Sequence, residues 1–217
     1  MSYRLASRPV SMLVLASGFL LGSADAPAQA RAWDFRVYLD DSPIGHHRFD
    51  LREQDGERTL RTEARFNVKV LGFTAYRYLH DASEQWHSGC LSALTARTDD
   101  NGERLAVTAA AEGGRLGVTG PRGRTALEGC VMTFAYWDPA ILRQQRLLNT
   151  QTGAYEAIKV DDLGQDKVLV RGVEVLATHY RLTGSRHPID LWYSAQREWL
   201  ALDSVVDGGR RLRYRLQ

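Results

Sequence analysis

Apolar and polar residues alternate with a period of two along most of the chain. Between Leu60 and Val70, the residues Leu60, Ala64, Phe66, Val68 and Val70 fall on one side and Arg61, Glu63, Arg65, Asn67 and Lys69 on the other. Successive side chains of a strand point to opposite faces, so this alternation marks a half-buried antiparallel strand with one dry and one wet face. Trp33, Phe35, Val37 and Leu39 repeat it, as do Leu212, Tyr214 and Leu216. Turn-forming clusters punctuate the runs, among them Asp40-Asp41-Ser42-Pro43, Asp55-Gly56, Asp100-Asn101-Gly102, Gly113-Gly114, Gly120-Pro121-Arg122-Gly123, Thr183-Gly184-Ser185 and Asp207-Gly208-Gly209. Asn and Gly tolerate the positive φ of tight hairpin turns. The pattern predicts roughly ten to twelve short strands joined mostly as a meander. That is an all-β, mainly antiparallel domain: a strongly curved sheet, a partly open β-barrel or a sandwich. No crossover helices separate the strands, which excludes a parallel sheet.

One stretch breaks the alternation: FAYWDPAILRQQRLLNTQTG, Phe134 to Gly153. Asp138 suits an N-cap, and Pro139 suits the first helical position, where its missing N–H costs nothing. From there Ala140, Ile141, Gln144, Leu147 and Leu148 share a helical face, with Arg143 and Arg146 outside it. The spacing predicts one short helix over residues 139–148, either a lid or a plug at an open end of the curved sheet.

The first thirty residues change the domain count. Arg4 and Arg8 precede an apolar run, Ser11 to Gly22, and small residues lead to Ala28-Gln29-Ala30. This order is that of a secretory signal peptide cleaved after Ala30, and the run falls short of the ~20 residues a transmembrane helix needs. The 217 residues less these 30 leave 187, which make one domain, residues 31–217. Without Arg4, Arg8 and Asp25, the 28 basic and 26 acidic side chains become 26 and 25. So even a balance excludes the clustered basic face of a nucleic-acid binder. Both cysteines, Cys90 and Cys130, lie in the exported part, each preceded by Gly at the start of an apolar run. An even count in an oxidising compartment predicts a disulfide between two strand starts. The periplasm is the expected location.

Candidate chemistry concentrates in YRYLHDASEQW, Tyr76 to Trp86. On a strand, Tyr76, Tyr78, His80, Glu84 and Trp86 share a face that could line an aromatic-floored pocket. His80 and Glu84 could form an acid/base pair, although four extended residues separate them by ~13 Å. His46 and His47 are adjacent and so point to opposite faces, and nothing in the spacing brings His80, His87 or His179 to them, so no metal site is expected. There is no G-x-S-x-G nucleophile elbow and no phosphate-cradling glycine loop, and no cofactor is expected. The aromatic residues Trp86, Trp137, Trp192, Trp199, Tyr136 and Tyr193 could fill a wide interior or form an apolar receptacle. The candidate ligand-binding residues are Tyr76, Tyr78, His80, Trp86, Trp137, Ile141, Leu148 and Trp192. The leading expectation is a non-enzymatic binder of a lipid or another apolar small molecule. The alternatives are an envelope enzyme using His80 and Glu84 with His46 or His47, and a protein-interaction module whose partner the sequence does not name.

Four blocks, WDFRVYLDDSPIGHHRF, FNVKVLGFTAYRYLHDASEQW, FAYWDPAILRQQRLLNTQTG and IDLWYSAQREWLALDSV, occur in an order that resembles a family of exported bacterial proteins known only as a domain of unknown function. The resemblance covers essentially the whole exported chain and implies no activity to carry over. The spacing of Gly172, Ala177, Tyr180 and Leu182, followed by LWYSAQREWLAL, also resembles curved-sheet envelope proteins such as the lipoprotein-localisation factors, whose half-barrels shelter acyl chains. That likeness implies a concave sheet with an apolar interior.

Overall fold

A computed structural model describes residues 28–217. The expected signal peptide lies outside the described residues, apart from Ala28, Gln29 and Ala30. Eight strands run in succession from the N-terminal side: β1 Gln29–Leu39, β2 Ser42–Gln54, β3 Glu57–Val70, β4 Phe73–His87, β5 Cys90–Asp100, β6 Glu103–Glu112, β7 Arg115–Gly120 and β8 Gly123–Glu128. After a connecting segment that holds β9 Arg146–Leu148 and β10 Tyr155–Ala157, five more follow: β11 Lys159–Val170, β12 Val173–Thr183, β13 Ile189–Tyr193, β14 Trp199–Val205 and β15 Arg211–Leu216. Thirteen of them form one antiparallel sheet in the order β11-β12-β13-β14-β15-β1-β2-β3-β4-β5-β6-β7-β8, while β9 and β10 pair separately. The all-β, antiparallel meander expected from the alternation is therefore present, as an open sheet curved into a barrel-like shape.

The strand count exceeds the expected ten to twelve for two reasons. β9 and β10 span three residues each, too short to show a period. β11, an edge strand, carries Asp161, Asp162, Gln165, Asp166 and Lys167 and has little apolar alternation to read. Polar edges of this kind discourage pairing with other chains.

β8 and β11 are the two edges of the sheet, and residues 129–158 connect them through its interior. This segment carries the apolar load of the core: Val131, Met132, Ala135, Trp137, Ile141, Leu147 and Leu148 are all buried. It packs against inward-facing Phe35, Leu60, Trp86, Leu191 and Trp199 of the sheet in one continuous cluster. The expected helix over 139–148 is corrected to a five-residue 3₁₀ turn, Pro139–Arg143. Its start follows the capping chemistry: Asp138 Oδ1 accepts from the Ala140 N–H at 2.9 Å. The turn ends where Gln144 adopts an extended conformation (φ −84°, ψ 152°). Leu147 and Leu148 then lie in β9, both fully buried. A short strand buried on both sides shows consecutive apolar residues, which imitate a helical stripe in sequence.

The Cys90–Cys130 disulfide is present, with a Cα–Cα distance of 5.0 Å. Cys90 opens β5 as expected, but Cys130 lies after β8 at the beginning of the interior segment rather than at a strand start. Next to it, the Leu91 N–H donates to the Val131 carbonyl at 2.9 Å. The bridge thus pins the interior segment to the sheet where it enters.

At the far end of that segment, Gly184 follows β12 at φ +98°, and a Cβ there would stand 2.4 Å from the Ala157 carbonyl oxygen. Gly184→Ala is expected to cost about 2 kcal/mol, through overpacking against backbone in a conformation only glycine favours. Urea unfolding of the variant beside the parent checks it.

Candidate functional site

The interior segment does not fill the sheet completely. Between them remains a cavity of about 270 Å³. β2 contributes His47 and Phe49, β3 Leu60 and Thr62, and β4 Tyr78, His80 and Glu84. Ile189, Leu202, Ser204, Leu212 and Tyr214 complete the sheet side, and the segment closes it with Phe134 to Trp137 and Asn149 to Gln151. Phe49, Leu60, Thr62, His80, Glu84, Ala135, Trp137, Leu202 and Tyr214 are buried, whereas the other lining residues are half-buried, Tyr78 and Asn149 to Gln151 at the mouth among them.

Period-two projection explains how β4 supplies three polar residues to an apolar interior. Tyr78, His80 and Glu84 face inward with Ala82 and Trp86, while Arg77 and Asp81 face out, bonded to Asp99 and Arg65. Glu84 is buried, and its Oε2 accepts from Trp86 Nε1 at 3.0 Å and from Thr133 Oγ1 at 3.1 Å. Burial outweighs these two donors and raises its pKa to about 7. His80 is buried beside Thr98, with Nδ1 2.9 Å from Thr98 Oγ1, and desolvation lowers its pKa to about 4. It is therefore a neutral imidazole at neutral pH.

His47 stacks on Phe49 at a ring distance of 4.2 Å, with Nδ1 3.3 Å from the Tyr214 hydroxyl. Its Nε2 is sealed from solvent and meets no protein partner, as is Trp137 Nε1. Desolvation holds the His47 pKa well below the usual histidine value. Burial likewise raises the hydroxyl pKa values of Tyr78, Tyr136 and Tyr214, keeping these groups neutral. At the mouth, the Tyr78 hydroxyl donates to Gln151 Oε1 at 3.1 Å, and Gln151 Nε2 reaches Asp100 Oδ2 at 3.4 Å. Asn149 Oδ1 holds this turn by accepting from the N–H groups of Gln151 and Thr152. The wall is thus apolar and aromatic, with uncharged hydrogen-bonding groups converging on it.

Of the residues singled out from sequence, Tyr78, His80 and Trp137 line the cavity, as does Glu84. Tyr76 stands just outside, its hydroxyl 2.6 Å from Asp100. Trp86, Ile141 and Leu148 are fully buried in the core behind the wall, Trp86 meeting Trp137 edge-to-face at 5.5 Å. Trp192 belongs elsewhere. It stacks on His179 at 4.4 Å and joins Val168, Ala177, Leu200 and Ala201 in a separate cluster. Its strand neighbours Leu191 and Tyr193 face the main core, so Trp192 points to the opposite face of the sheet. The 3₁₀ turn presents its apolar side chain Ile141 to the core, so this part of the segment is a plug, while its flanks form the cavity wall.

His80 and Glu84 share the cavity without touching, consistent with their separation along β4. His46 lies on the outer face, 3.7 Å from Glu63, and His179 pairs with Asp190 at 2.9 Å. Among the described residues, no three metal-ligating side chains come together. No local pattern marks Tyr214, Phe49, Thr62 or the 149–151 turn as cavity wall. For His47 the signal existed: Phe49 and Leu51, two and four residues on, are buried, and the same parity turns His47 inward.

Residues 35–217 match the profile of DUF6134, a domain of unknown function. No curated protein sequence matches the chain. Among solved structures, the chain is similar to the crystal structure of a β-barrel-like protein of the domain of unknown function DUF1849 from Brucella abortus. The TM-score is 0.60 at 12% identity, covering 88% of this chain and 95% of that one. At that identity the likeness concerns the fold alone, and it agrees with the open, curved sheet.

Proposed function

Because the chain belongs to the DUF6134 family, a domain of unknown function, its role is read from the cavity, and we propose that it holds a small, mostly apolar molecule with one hydrogen-bonding end. The observation that carries this reading is the cavity's composition: an aromatic and aliphatic wall interrupted by a few polar side chains, Tyr78, His80, Glu84 and Gln151. Small-molecule sites are mostly apolar concavities with few convergent polar groups. A volume of about 270 Å³ suits a single chain or a compact ring system rather than a lipid with two full tails. Acid/base catalysis is disfavoured, since His80 is committed to Thr98 and has no carboxylate in contact. The wall hydroxyl of Ser204 donates to the Pro188 carbonyl, not to a base. The Arg-flanked apolar leader and the Cys90–Cys130 bridge favour an exported protein working in the oxidising periplasm. Among the described residues, no helix is long and apolar enough to cross a membrane.

Native mass spectrometry of protein purified from its own envelope, with titration of a fluorescent fatty acid, tests the reading. A retained small mass or saturable binding is expected. Tyr78→Phe keeps the ring but removes the hydroxyl that meets Gln151 at the mouth, and is expected to weaken binding by up to about tenfold, the worth of one hydrogen bond. A bare polypeptide mass combined with no titration would refute the proposal.

A further inference from the structure

The β3–β4 hairpin leaves the sheet at the mouth of the cavity. Its last rung with β2 joins Phe66 to Gly45, and its last rung with β5 joins Tyr78 to Asp100. From Asn67 to Tyr76 the backbones of the two strands therefore pair only with each other, the Arg77 carbonyl already accepting from the Asn101 N–H. At the tip, Val70, Leu71 and Phe73 are 55%, 94% and 79% exposed. Burying such side chains is what normally rewards an apolar residue, and none of the described residues buries them here.

The turn itself is anomalous. Leu71 adopts φ +52° ahead of Gly72 at φ +85°. Tight hairpin turns with positive φ at both central positions favour Asn or Asp in the first, because a branched apolar side chain is strained there. Among the described residues the other turns with a non-glycine residue at this position place a polar one there, in Asp55-Gly56, Ser88-Gly89, Asn101-Gly102 and Arg171-Gly172. Leu71 is the apolar exception, strained and almost wholly in solvent. An outlier that local packing does not repay points toward function.

Charge narrows the partner. From Asn67 to Tyr78 the hairpin contains Lys69 and Arg77 and no carboxylate. Arg77 pairs with Asp99 at 3.2 Å, whereas Lys69 makes no ion pair among the described residues. Asp99 and Asp100 lie beside Leu79 and Tyr78 at the hairpin's base. Tyr76, three residues of strand or about 10 Å from Phe73 at ~3.3 Å each, holds Asp100 through its hydroxyl at 2.6 Å, so this carboxylate is hydrogen-bonded at the hairpin's base rather than at its tip. Of the acidic turns at this end, Asp40-Asp41 is occupied by Arg210 and Arg213 and Asp207 by Arg186 and His187, while Glu103 stands opposite Asp100 in the β5–β6 turn. A narrow ribbon ending in exposed Leu and Phe, with a lysine behind them, matches the chemistry of shallow insertion at an anionic lipid surface, where apolar groups sink ~5–10 Å and basic groups stay with the headgroups. The tip offers no broad flat face of the sort a folded protein partner covers.

We propose that the β3–β4 hairpin docks the protein on an anionic lipid bilayer, with Leu71, Phe73 and Val70 inserted and Lys69 at the headgroups. This site is separate from the cavity and stands whether or not the cavity holds a ligand. Because Tyr78 is both the hairpin's last anchored residue and part of the cavity wall, docking would set the mouth against the bilayer.

Flotation of the full exported chain with vesicles of phosphatidylethanolamine and phosphatidylglycerol is the test. The parent is expected to float, and less so with phosphatidylcholine alone or at high salt. Leu71→Asp with Phe73→Asp is expected to cut partitioning roughly tenfold or more, as two large apolar groups lose their burial. Leu71→Asn relieves the turn, so it should bind more weakly while its thermal midpoint equals or exceeds the parent's, which separates lost docking from lost folding. No flotation of the parent, or equal flotation of the Leu71/Phe73 variant, would overturn the proposal. So would sedimentation showing a dimer that Leu71→Asp dissociates without any lipid binding, since the tip would then cover a second copy of the chain.

Discussion

Replacing both bridge cysteines, Cys90→Ala with Cys130→Ala, is expected to lower the unfolding free energy by about 4 kcal/mol. The cysteines stand 40 residues apart in sequence, and closing a loop of that size removes close to this much chain entropy from the unfolded state. For a domain of this size, each kcal/mol moves the thermal midpoint by ~2–4 °C, so a fall of roughly 8–16 °C follows. The loss should also have a place. Cys130 begins the interior segment, and Trp137, seven residues on, packs edge-to-face on Trp86 and takes the Arg58 guanidinium over its ring at 4.9 Å. Hydrogen bonds of Leu148 to the Met132 carbonyl and of Ile158 to the Gln145 carbonyl tie the segment to itself, and its far end runs directly into β11, all of which the variant keeps. Loosening should therefore begin at Val131 and Met132, seen as faster amide exchange there than in β1 to β4. A stability change below about 1 kcal/mol would mean that the core packing of Ile141, Leu147 and Leu148 holds the segment without the bridge.

How much of this could be read from sequence depends on which side of the sheet a residue serves. β1 shows it best: Trp33, Phe35, Val37 and Leu39 alternate in sequence and are buried in the structure. Such a strand has one face in the core and one in water, so its pattern reports its fold. The same reading of β3 holds as far as Val68 and then fails. Val70 keeps the parity of the dry face yet is exposed, because the hairpin has left its neighbours and has no core to face. Trp192 fails for another reason. Both faces of its strand are covered, one by the main core and one by the second cluster, so size and apolarity do not say which. The interior segment was recognised as exceptional, and its Asp138-Pro139 start was legible because capping is local chemistry. Its continuation as strand was not, since residues buried on all sides carry no period. The cavity is legible only in part, because β4 shows Tyr78, His80 and Glu84 on one face, whereas Tyr214 and the 149–151 turn reach it through pairings that no local pattern encodes.

The two buried titratable residues of β4 set opposite pH dependences, and single substitutions should separate them. Glu84, with its pKa raised from 4.5 to about 7, stays protonated in the fold while the unfolded chain ionises. Between these values the folded state binds the extra proton, so stability falls as pH rises, by ~3 kcal/mol over the window at 1.36 kcal/mol per pH unit. His80, lowered from 6.5 to about 4, stays neutral in the fold while the unfolded chain is protonated. There the unfolded state binds the extra proton, so stability rises with pH by a similar ~3 kcal/mol. The windows overlap from about 4.5 to about 6.5, where the two slopes oppose and nearly cancel, leaving the shallow rise that His47, also lowered, adds. Glu84→Gln retains an oxygen for Trp86 and Thr133 but cannot ionise. Its stability should match the parent's below pH 4.5, climb steeply to pH 6.5 and exceed the parent's by ~3 kcal/mol above pH 7. His80→Asn removes one of the two rising contributions, so the Glu84 fall and the His47 rise should leave its profile nearly flat to pH 6.5 and falling from there to pH 7. Urea midpoints across pH 4 to 8 decide this, and identical profiles for parent and variants would show that neither side chain is desolvated as the cavity requires. The same titration changes what the cavity offers a ligand. Below about pH 7 Glu84 is a neutral acid; above it, the carboxylate repels any ligand that carries its own. Fatty-acid binding should therefore weaken in the parent as pH passes 7 and hold steady in Glu84→Gln.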